Sequence, residues 1–239
     1  MKSQASGSSM DAGAIGVKVG LEVLRRTAPR GIKWLSTFYN GIELLIIGPG
    51  GAGKTSISDY LQFGELEDHR PHEKTLDVTK SSTFEIACGK NESLKLRIRR
   101  TVDVPGQTGP VEHANLVRDR RPHAILIVFD ANSSVKSLQE WLDPFCERID
   151  AIFREDSSLQ RKLRGVFVAL NKRDLVQSHH FSARQAKVKK CLLDGLGPIH
   201  GVQKAKAIPV VGTIAIKVDG GDARLLDTLI RTIAKQIRK

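Results

Sequence analysis

The segment from Gly48 to Thr55 restricts the possible folds more than any other part of the chain. It reads Gly-Pro-Gly-Gly-Ala-Gly-Lys-Thr and so matches the pattern G-x-x-x-x-G-K-[ST]. It follows the apolar run Ile42–Ile47 and precedes a helix that we predict from about Gly53 to Phe63. Glycines allow backbone N–H groups to converge on phosphates, and the start of the helix adds positive potential. The segment therefore predicts a phosphate-binding loop between a strand and a helix.

Two side chains of this loop have chemistry suited to a nucleoside triphosphate. Lys54 is expected to reach the β- and γ-phosphates, and the hydroxyl of Thr55 is expected to ligate Mg²⁺. The expected nucleotide contacts of the whole segment are Gly48, Pro49, Gly50, Gly51, Ala52, Gly53, Lys54, Thr55 and Ser56. Because ATPases and GTPases share this kind of loop, the base must be identified from another part of the sequence.

Strand-like and helix-like patterns alternate from Gly41 to the end of the chain. Strands are predicted at residues 42–47, 83–87, 94–102, 124–129, 166–170 and 207–211, and helices at residues 53–63, 135–153, 183–193 and 223–237. This alternation and an aromatic content of only 5% favour an α/β fold. We expect a doubly wound, mostly parallel six-stranded sheet with helices on both faces, and an N-terminal helical extension.

Three regions are expected along the chain. Residues 1–12 are rich in Ser, Gly and Ala and predict a disordered tail. Residues 13–40 predict an amphipathic helical extension, in which Val17, Leu21 and Leu24 recur at helical spacing. Residues 41–239 form the predicted nucleotide-binding domain. Two roles are open for the extension, packing on a protein surface or contact with a membrane, and its glycines favour packing because they weaken an isolated helix.

The segment Asn171-Lys172-Arg173-Asp174 identifies the base. It follows the predicted strand 166–170, at the carboxyl edge of the sheet where doubly wound folds bind their ligands. The carboxylate of Asp174 can accept two parallel hydrogen bonds from the N1–H and N2–H₂ groups of guanine, which adenine does not offer. The stem of Lys172 is expected to lie along the base, and Asn171 to connect this segment with the phosphate loop. Together these features predict a guanine-nucleotide site.

With these two motifs, the sequence from about Ile42 onward resembles the Ras superfamily of small GTPases, which includes the Arf and Sar branches. Residues 103–107 read Asp-Val-Pro-Gly-Gln and are similar to the D-x-x-G-Q element of that family. The resemblance implies that Asp103 holds Mg²⁺ through water and that the Gly106 amide senses the γ-phosphate. It also implies that Gln107 orients the attacking water.

The resemblance further implies a guanine contact and a switch threonine. Thr213, Ile214 and Ala215 lie where the family contacts the guanine oxygen through a backbone amide. Residues 75–79 read Thr-Leu-Asp-Val-Thr and are similar to the loop whose threonine closes over Mg²⁺ in Sar-type proteins. Thr75 is the first candidate for that role, and Thr79 is the second.

A helix is expected after Gln107, and its charged side chains leave two roles open. His113 is expected at the surface, and the alternative is a catalytic role. Arg118, Arg120 and Arg121 are expected to form a solvated basic face; the alternative is that one of them supplies an arginine in cis to the transition state of GTP hydrolysis.

The charge balance points to anionic partners. Lys and Arg number 38 against 26 Asp and Glu, a formal net charge of +12. The basic stretches have few interleaved aromatic residues, which disfavours binding of single-stranded nucleic acid. Cys88, Cys146 and Cys191 lie far apart without metal-ligand spacing, and the sequence has no apolar run of the ~20 residues that a membrane span needs. A cytoplasmic location is expected, with peripheral membrane contact through the N-terminal helix as an additional hypothesis.

The leading functional prediction is a molecular switch that binds GTP or GDP with Mg²⁺ and hydrolyses GTP slowly. Its switch loops are expected to be recognised by effector, exchange or activating proteins. The alternative is a guanine-nucleotide-binding interaction module with little or no hydrolysis, docked on a membrane or another acidic surface.

Overall fold

The computed structural model describes residues 41–66, 79–80, 84–88, 94–103, 108–217 and 223–237. The tail predicted for residues 1–12 and the extension predicted for residues 13–40 lie outside these ranges and stay predictions. Among the helices within these ranges, none combines the length and the apolar character needed to cross a membrane.

One sheet organises the described residues. Its strands are β1 (Ile42–Ile47), β2 (Thr79–Lys80), β3 (Phe84–Cys88), β4 (Leu94–Asp103), β5 (Ala124–Asp130), β6 (Gly165–Asn171) and β7 (Val210–Gly212). The order across the sheet is β2-β4-β1-β5-β6-β7, and β3 also pairs with β4. Strands β4, β1, β5, β6 and β7 are parallel, whereas β2 and β3 run antiparallel to β4. The expected mostly parallel α/β fold is confirmed; the strand beyond the expected six is the short β2, which shares an edge of β4 with β3.

Helices cover both faces of this sheet. Their bounds are α1 (Lys54–Phe63), α2 (Pro110–Arg120), α3 (Val135–Glu155), α4 (Ser157–Lys162), α5 (Ser178–His200), α6 (Val202–Lys206) and α7 (Arg224–Ile237), and a 3-10 turn spans Arg173–Leu175. Helices α1 and α7 pack on one face, while the buried side chains of α2 to α6 pack on the other.

The central strands are mostly apolar because both of their faces are covered. In β1, Leu45 and Ile47 pack in the core under α2, α3 and α5. Their neighbours Leu44 and Ile46 point to the opposite face and pack against α1 and α7. All six residues of β1 are buried, which is the pattern expected of a central strand in a parallel sheet.

Helices α4 and α6 were not predicted, and the bounds of α5 and β7 differ most from the sequence prediction. Helix α5 extends well beyond residues 183–193, through Gly195 and Pro198. A Cβ atom at residue 195 would lie 2.8 Å from the sulfur of Cys146, so the glycine allows α5 to approach α3 closely. The last strand begins at Val210 and not at residue 207 as predicted. Ala207 belongs to the end of α6, where its N–H donates to the carbonyl of Gln203.

The parallel strands fix where a ligand can bind. The carboxyl ends of β1, β4, β5, β6 and β7 lie at one edge of the sheet, which we call the carboxyl edge. The phosphate loop follows β1 at this edge, and the segments 171–174 and 213–215 follow β6 and β7.

Candidate nucleotide-binding site

The phosphate loop has a backbone that only glycine accommodates easily. Gly48, Gly51 and Gly53 have φ angles of +141°, +71° and +87°. A Cβ atom at residue 48 would lie 2.1 Å from the carbonyl oxygen of Val128 in β5, and one at residue 53 would lie 2.2 Å from the Nδ2 atom of Asn171. The loop is therefore tightly packed against the neighbouring strand on one side and against the 171–174 segment on the other.

Lys54 lies inside the phosphate loop. It is the first residue of α1, it is 6% exposed, and its Nζ atom donates a hydrogen bond of 3.0 Å to the carbonyl oxygen of Pro49. The ammonium group is thus held across the loop, at the start of a helix, where an anionic phosphate would be attracted by both. Thr55 follows in the first turn of α1 and is exposed, so its hydroxyl can meet a ligand from solvent.

Asn171 connects the two sequence motifs. Its side chain is buried, with 3% of the residue exposed. Its Nδ2 atom donates to the carbonyl oxygen of Ala52 at 3.0 Å, and its Oδ1 atom accepts from the hydroxyl of Thr213 at 3.2 Å. One amide therefore joins the phosphate loop, the end of β6 and the segment after β7, which is the link between the loops that the sequence predicts.

Lys172 is held in place by a residue that sequence reasoning missed. Its backbone is left-handed, with φ 58°, and its Nζ atom lies 2.7 Å from Oδ2 of Asp130, the last residue of β5. The other carboxylate oxygen of Asp130 accepts from the N–H of Asn132 at 2.7 Å. The side chains of Lys172 and Asp130 are 25% and 24% exposed, so this ion pair is about three-quarters buried. The sequence did carry a signal for Asp130, since a carboxylate directly after an apolar strand is placed at the ligand-binding edge of a parallel sheet.

Arg173 stabilises the turn that presents Asp174. Its guanidinium lies 4.3 Å from the centre of the Phe181 ring, donates to the Ser178 hydroxyl at 3.0 Å, and also donates to the carbonyl oxygen of Val176. Its backbone N–H donates to the carbonyl of Thr213 at 3.0 Å. Asp174 itself is exposed, so its carboxylate is accessible to a base.

The residues beside Asp174 border an open cleft of about 680 Å³. Asp174 and Ile214 contribute to its wall, together with β7 and the start of α5. Thr213 and Ala215 on either side of Ile214 are buried, at 0% and 3% exposed. The 213–215 segment is thus fixed by its neighbours while its middle residue reaches the surface.

The structure places only part of the predicted catalytic and metal-binding set. Asp103 is the last residue of β4 and pairs in register with Ile46 of β1, so its position at the carboxyl edge is beside the phosphate loop. Thr75, Gly106 and Gln107 lie outside the described residues, and Thr79 is known only as the start of β2. The nucleotide and metal contacts proposed for all these residues stay predictions.

The surface position expected for His113 is wrong. The residue is fully buried, and its ring centre lies 5.5 Å from that of Trp141 in α3. The reason is helical periodicity: His113 shares the inner face of α2 with Ala114 and Val117. Trp141 in turn stacks on Phe145 at 5.1 Å, so α2 is anchored to α3 by an aromatic cluster.

The arginines at the end of α2 lie away from the site. Arg118 and Arg120 form the last turn of α2, and the chain then enters the start of β5. Arg121 pairs with Asp156 at 2.5 Å and also donates to the hydroxyl of Ser158 at 2.6 Å. Because parallel strands start at the edge opposite the phosphate loop, these arginines cannot act in cis on a bound γ-phosphate.

Comparisons with known proteins agree with this geometry. The model of the "Gtr1/RagA G protein conserved region" matches residues 43–206. No curated protein sequence matches the chain. Among solved structures, a dimerisation-deficient mutant of Toc33 from Arabidopsis thaliana superposes with a TM-score of 0.55 at 15% identity, over 89% of this chain and 92% of that chain.

A second solved structure similar to this chain is the bacterial selenocysteine-specific elongation factor EF-Sec, with a TM-score of 0.52 at 16% identity. The match covers 83% of this chain but only 29% of the elongation factor. At these identities both structures support the fold alone.

Proposed function

Because the chain belongs to the Gtr1/RagA family of G proteins, we propose that it is a molecular switch that binds GTP and GDP with Mg²⁺ and hydrolyses GTP slowly. GTP binding is the general property of that family. The finer parts of the proposal are the metal, the hydrolysis step, and the loops that partner proteins read.

The observation that carries the proposal is the side chain of Asn171. It bonds to the phosphate loop through Ala52 and to the 213–215 segment through Thr213, at 3.0 and 3.2 Å. These segments are the ones expected to hold the two ends of a guanine nucleotide. Their direct connection supports a site that recognises base and phosphates together, and Asp174 is accessible at the end of this arrangement.

The donors near the phosphate loop are suited to Mg²⁺. The Thr55 hydroxyl is exposed, and Asp103 ends the strand beside β1, so hard oxygen ligands would come from two adjacent elements. Thr75 would add a third oxygen from the loop before β2, with Thr79 as the alternative. When bound, Mg²⁺ neutralises charge on the β- and γ-phosphates.

The chain's own residues would then position the reaction. Lys54 binds the β- and γ-phosphate oxygens, and Gln107 orients a water in line with the bond between the γ-phosphorus and the β–γ bridging oxygen. That bond breaks as the water attacks, giving GDP and phosphate. We propose slow turnover because Arg118, Arg120 and Arg121 lie at the opposite edge of the sheet and leave the charge of the transition state without an arginine from α2. We further propose that an activating partner supplies that arginine.

We further propose that partners read the switch loops around Thr75 and Gln107, which would be ordered by the γ-phosphate and released after hydrolysis. A cytoplasmic location is part of the proposal. Peripheral membrane contact through residues 13–40 is a separate hypothesis on residues that the structure does not describe.

The test is a titration of the intact protein with labelled GTP and labelled ATP in the presence of Mg²⁺, repeated with Asp174→Asn. We expect the intact protein to prefer GTP strongly. In Asp174→Asn, GTP affinity should fall by at least about tenfold, because the carboxylate that accepts two hydrogen bonds from guanine is replaced by an amide. Equal binding of ATP, or an unchanged affinity in Asp174→Asn, would contradict the proposed site.

A further inference from the structure

The edge of the sheet opposite the nucleotide site is lined by basic residues. Strands β5, β6 and β7 are adjacent and parallel, so their amino ends face this edge. Ala124 and Gly165, which begin β5 and β6, pair in register, whereas β7 joins β6 further along, with Val210 opposite Val168. Each of these strands follows a short basic stretch of sequence. We call this set the strand-start surface: it comprises Arg118 and Arg120 before β5, Arg161 and Lys162 before β6, and Lys204 and Lys206 before β7.

Hydrogen bonds between the three stretches hold the strand-start surface together. The N–H of Arg164 donates to the carbonyl of His123 at 2.8 Å, which joins the entries to β5 and β6. The Nε2 atom of Gln160 in α4 donates to the carbonyl of Ile199 at 2.7 Å, which joins α4 to the end of α5, directly before α6. The basic residues are thus carried by elements that are fixed relative to one another.

The acidic side chains near this surface only partly offset its charge. Asp156 is engaged with Arg121 and Ser158, and Asp119 pairs with Arg118 at 3.1 Å. Glu155, directly before Asp156, is exposed and adds a third negative charge to the six positive charges of the surface and that of Arg121. Lys204 and Lys206 on α6 are exposed and form no ion pair with any residue that the structure describes. The surface therefore keeps a local excess of positive charge.

We propose that the strand-start surface docks the protein on an anionic phospholipid bilayer. A row of basic side chains along one edge of a sheet suits an extended anionic surface, because each Lys or Arg near such a bilayer strengthens binding. Val202, the first residue of α6, is 51% exposed beside Lys204 and adds an apolar side chain at this edge. The row has no exposed aromatic side chain on which the bases of a single-stranded nucleic acid could stack.

This docking surface has a consequence for the switch. The phosphate loop and the 171–174 segment lie at the carboxyl edge, so a bilayer at the strand-start surface leaves them open to other proteins. Vesicle binding is therefore expected to be equal with GDP and with a non-hydrolysable GTP analogue. Binding through a helix that is released only when GTP is bound would instead depend on the nucleotide.

The experiment is co-sedimentation of the intact protein with vesicles of phosphatidylcholine, with and without phosphatidylserine. The variant Arg161→Glu, Lys204→Glu, Lys206→Glu reverses three charges of the surface. The matched control is Lys187→Glu, Lys189→Glu, Lys190→Glu, which makes the same change in net charge on exposed residues midway along α5. Thermal unfolding followed by circular dichroism shows whether each variant is folded, and the neutral variant Lys204→Gln, Lys206→Gln serves if charge reversal impairs folding.

We expect binding that requires phosphatidylserine and falls by about a hundredfold in the strand-start variant, because each of its three basic side chains contributes about fivefold to the affinity for an anionic bilayer. We expect a smaller loss in the α5 control. Equal losses in both variants would show general charge attraction and overturn the proposal. The proposal would also be overturned if the intact protein did not bind the vesicles. A last variant, Arg25→Glu, Arg26→Glu, changes the N-terminal extension, and loss of binding in that variant alone would likewise overturn the proposal. Failure of GTP binding in the separate titration would leave this result unaffected.

Discussion

Gly53 shows how a single residue holds the two motifs of the site at their observed distance. Its φ angle is +87°, and a Cβ atom there would lie 2.2 Å from Asn171, which bonds the phosphate loop. We expect Gly53→Ala to displace Asn171, lowering the free energy of unfolding by about 3 kcal/mol and GDP affinity by about a hundredfold. Fluorescence titration with labelled GDP and urea unfolding measure these effects.

The control for this prediction is Gly51→Ala. Gly51 also has a positive φ angle, +71°, but a Cβ atom there would meet nothing within 4 Å. We expect a cost of about 1 kcal/mol from backbone strain alone. Equal losses in the two variants would mean that strain, and not the contact with Asn171, explains the effect.

Asp130 is the second residue-scale prediction, and it concerns a side chain that no motif marked. Asp130→Asn keeps an acceptor for the N–H of Asn132 but removes the charge that pairs with Lys172 at 2.7 Å. Because Lys172 is expected to lie along the base, we expect GDP to dissociate about tenfold faster, as measured by displacement of labelled GDP. Asp150→Asn, which removes a pair with the exposed Arg154, should leave the rate unchanged.

At the scale of elements, one hydrogen bond connects the two helices on the α1 face of the sheet. The hydroxyl of Tyr60 in α1 donates to Oδ1 of Asp227 in α7 at 2.9 Å. Burial, followed by this hydrogen bond and the nearby carboxylate charge, raises the pKa of Tyr60 well above its usual range. We expect Tyr60→Phe to lower the free energy of unfolding at neutral pH by about 1 kcal/mol.

The raised pKa of Tyr60 gives this prediction a pH dependence. Above about pH 10, the tyrosine of the unfolded chain ionises while that of the folded protein stays protonated, so the wild type loses stability and approaches Tyr60→Phe. Urea unfolding at neutral pH and at about pH 11 measures the difference. A difference that stays constant between these conditions would contradict the role of the hydrogen bond. Thr228→Val, which removes a hydroxyl bonded within α7, is the control.

The elements also show where sequence reasoning succeeds and where it ends. Strand β1 and helix α1 follow from an apolar run and a glycine loop, since local pattern alone determines both. The burial of His113 follows from the helical spacing that it shares with Ala114 and Val117, a local pattern that the sequence prediction did not use. The close approach of α5 to α3 depends instead on the absence of a side chain at Gly195, next to Cys146. Asp130 is part of the site only because the sheet places the ends of β5 and β6 side by side. Such tertiary contacts leave no periodic signal in the sequence.

At the scale of the molecule, the site is built from segments that follow several strands of one sheet. The phosphate loop follows β1, the 171–174 segment follows β6, and the 213–215 segment follows β7, with Asn171 bonded to the other two. A nucleotide that contacts all three should therefore stabilise the sheet as a unit.

We expect GDP with Mg²⁺, at a hundred times its Kd, to raise the free energy of unfolding by about 2.7 kcal/mol in a single transition, whereas ATP should have little effect. Thermal unfolding with each nucleotide measures this, and addition of a chelator for Mg²⁺ should reduce the effect of GDP. Equal stabilisation by ATP, or a second transition that ignores GDP, would show that the three segments do not act as one site.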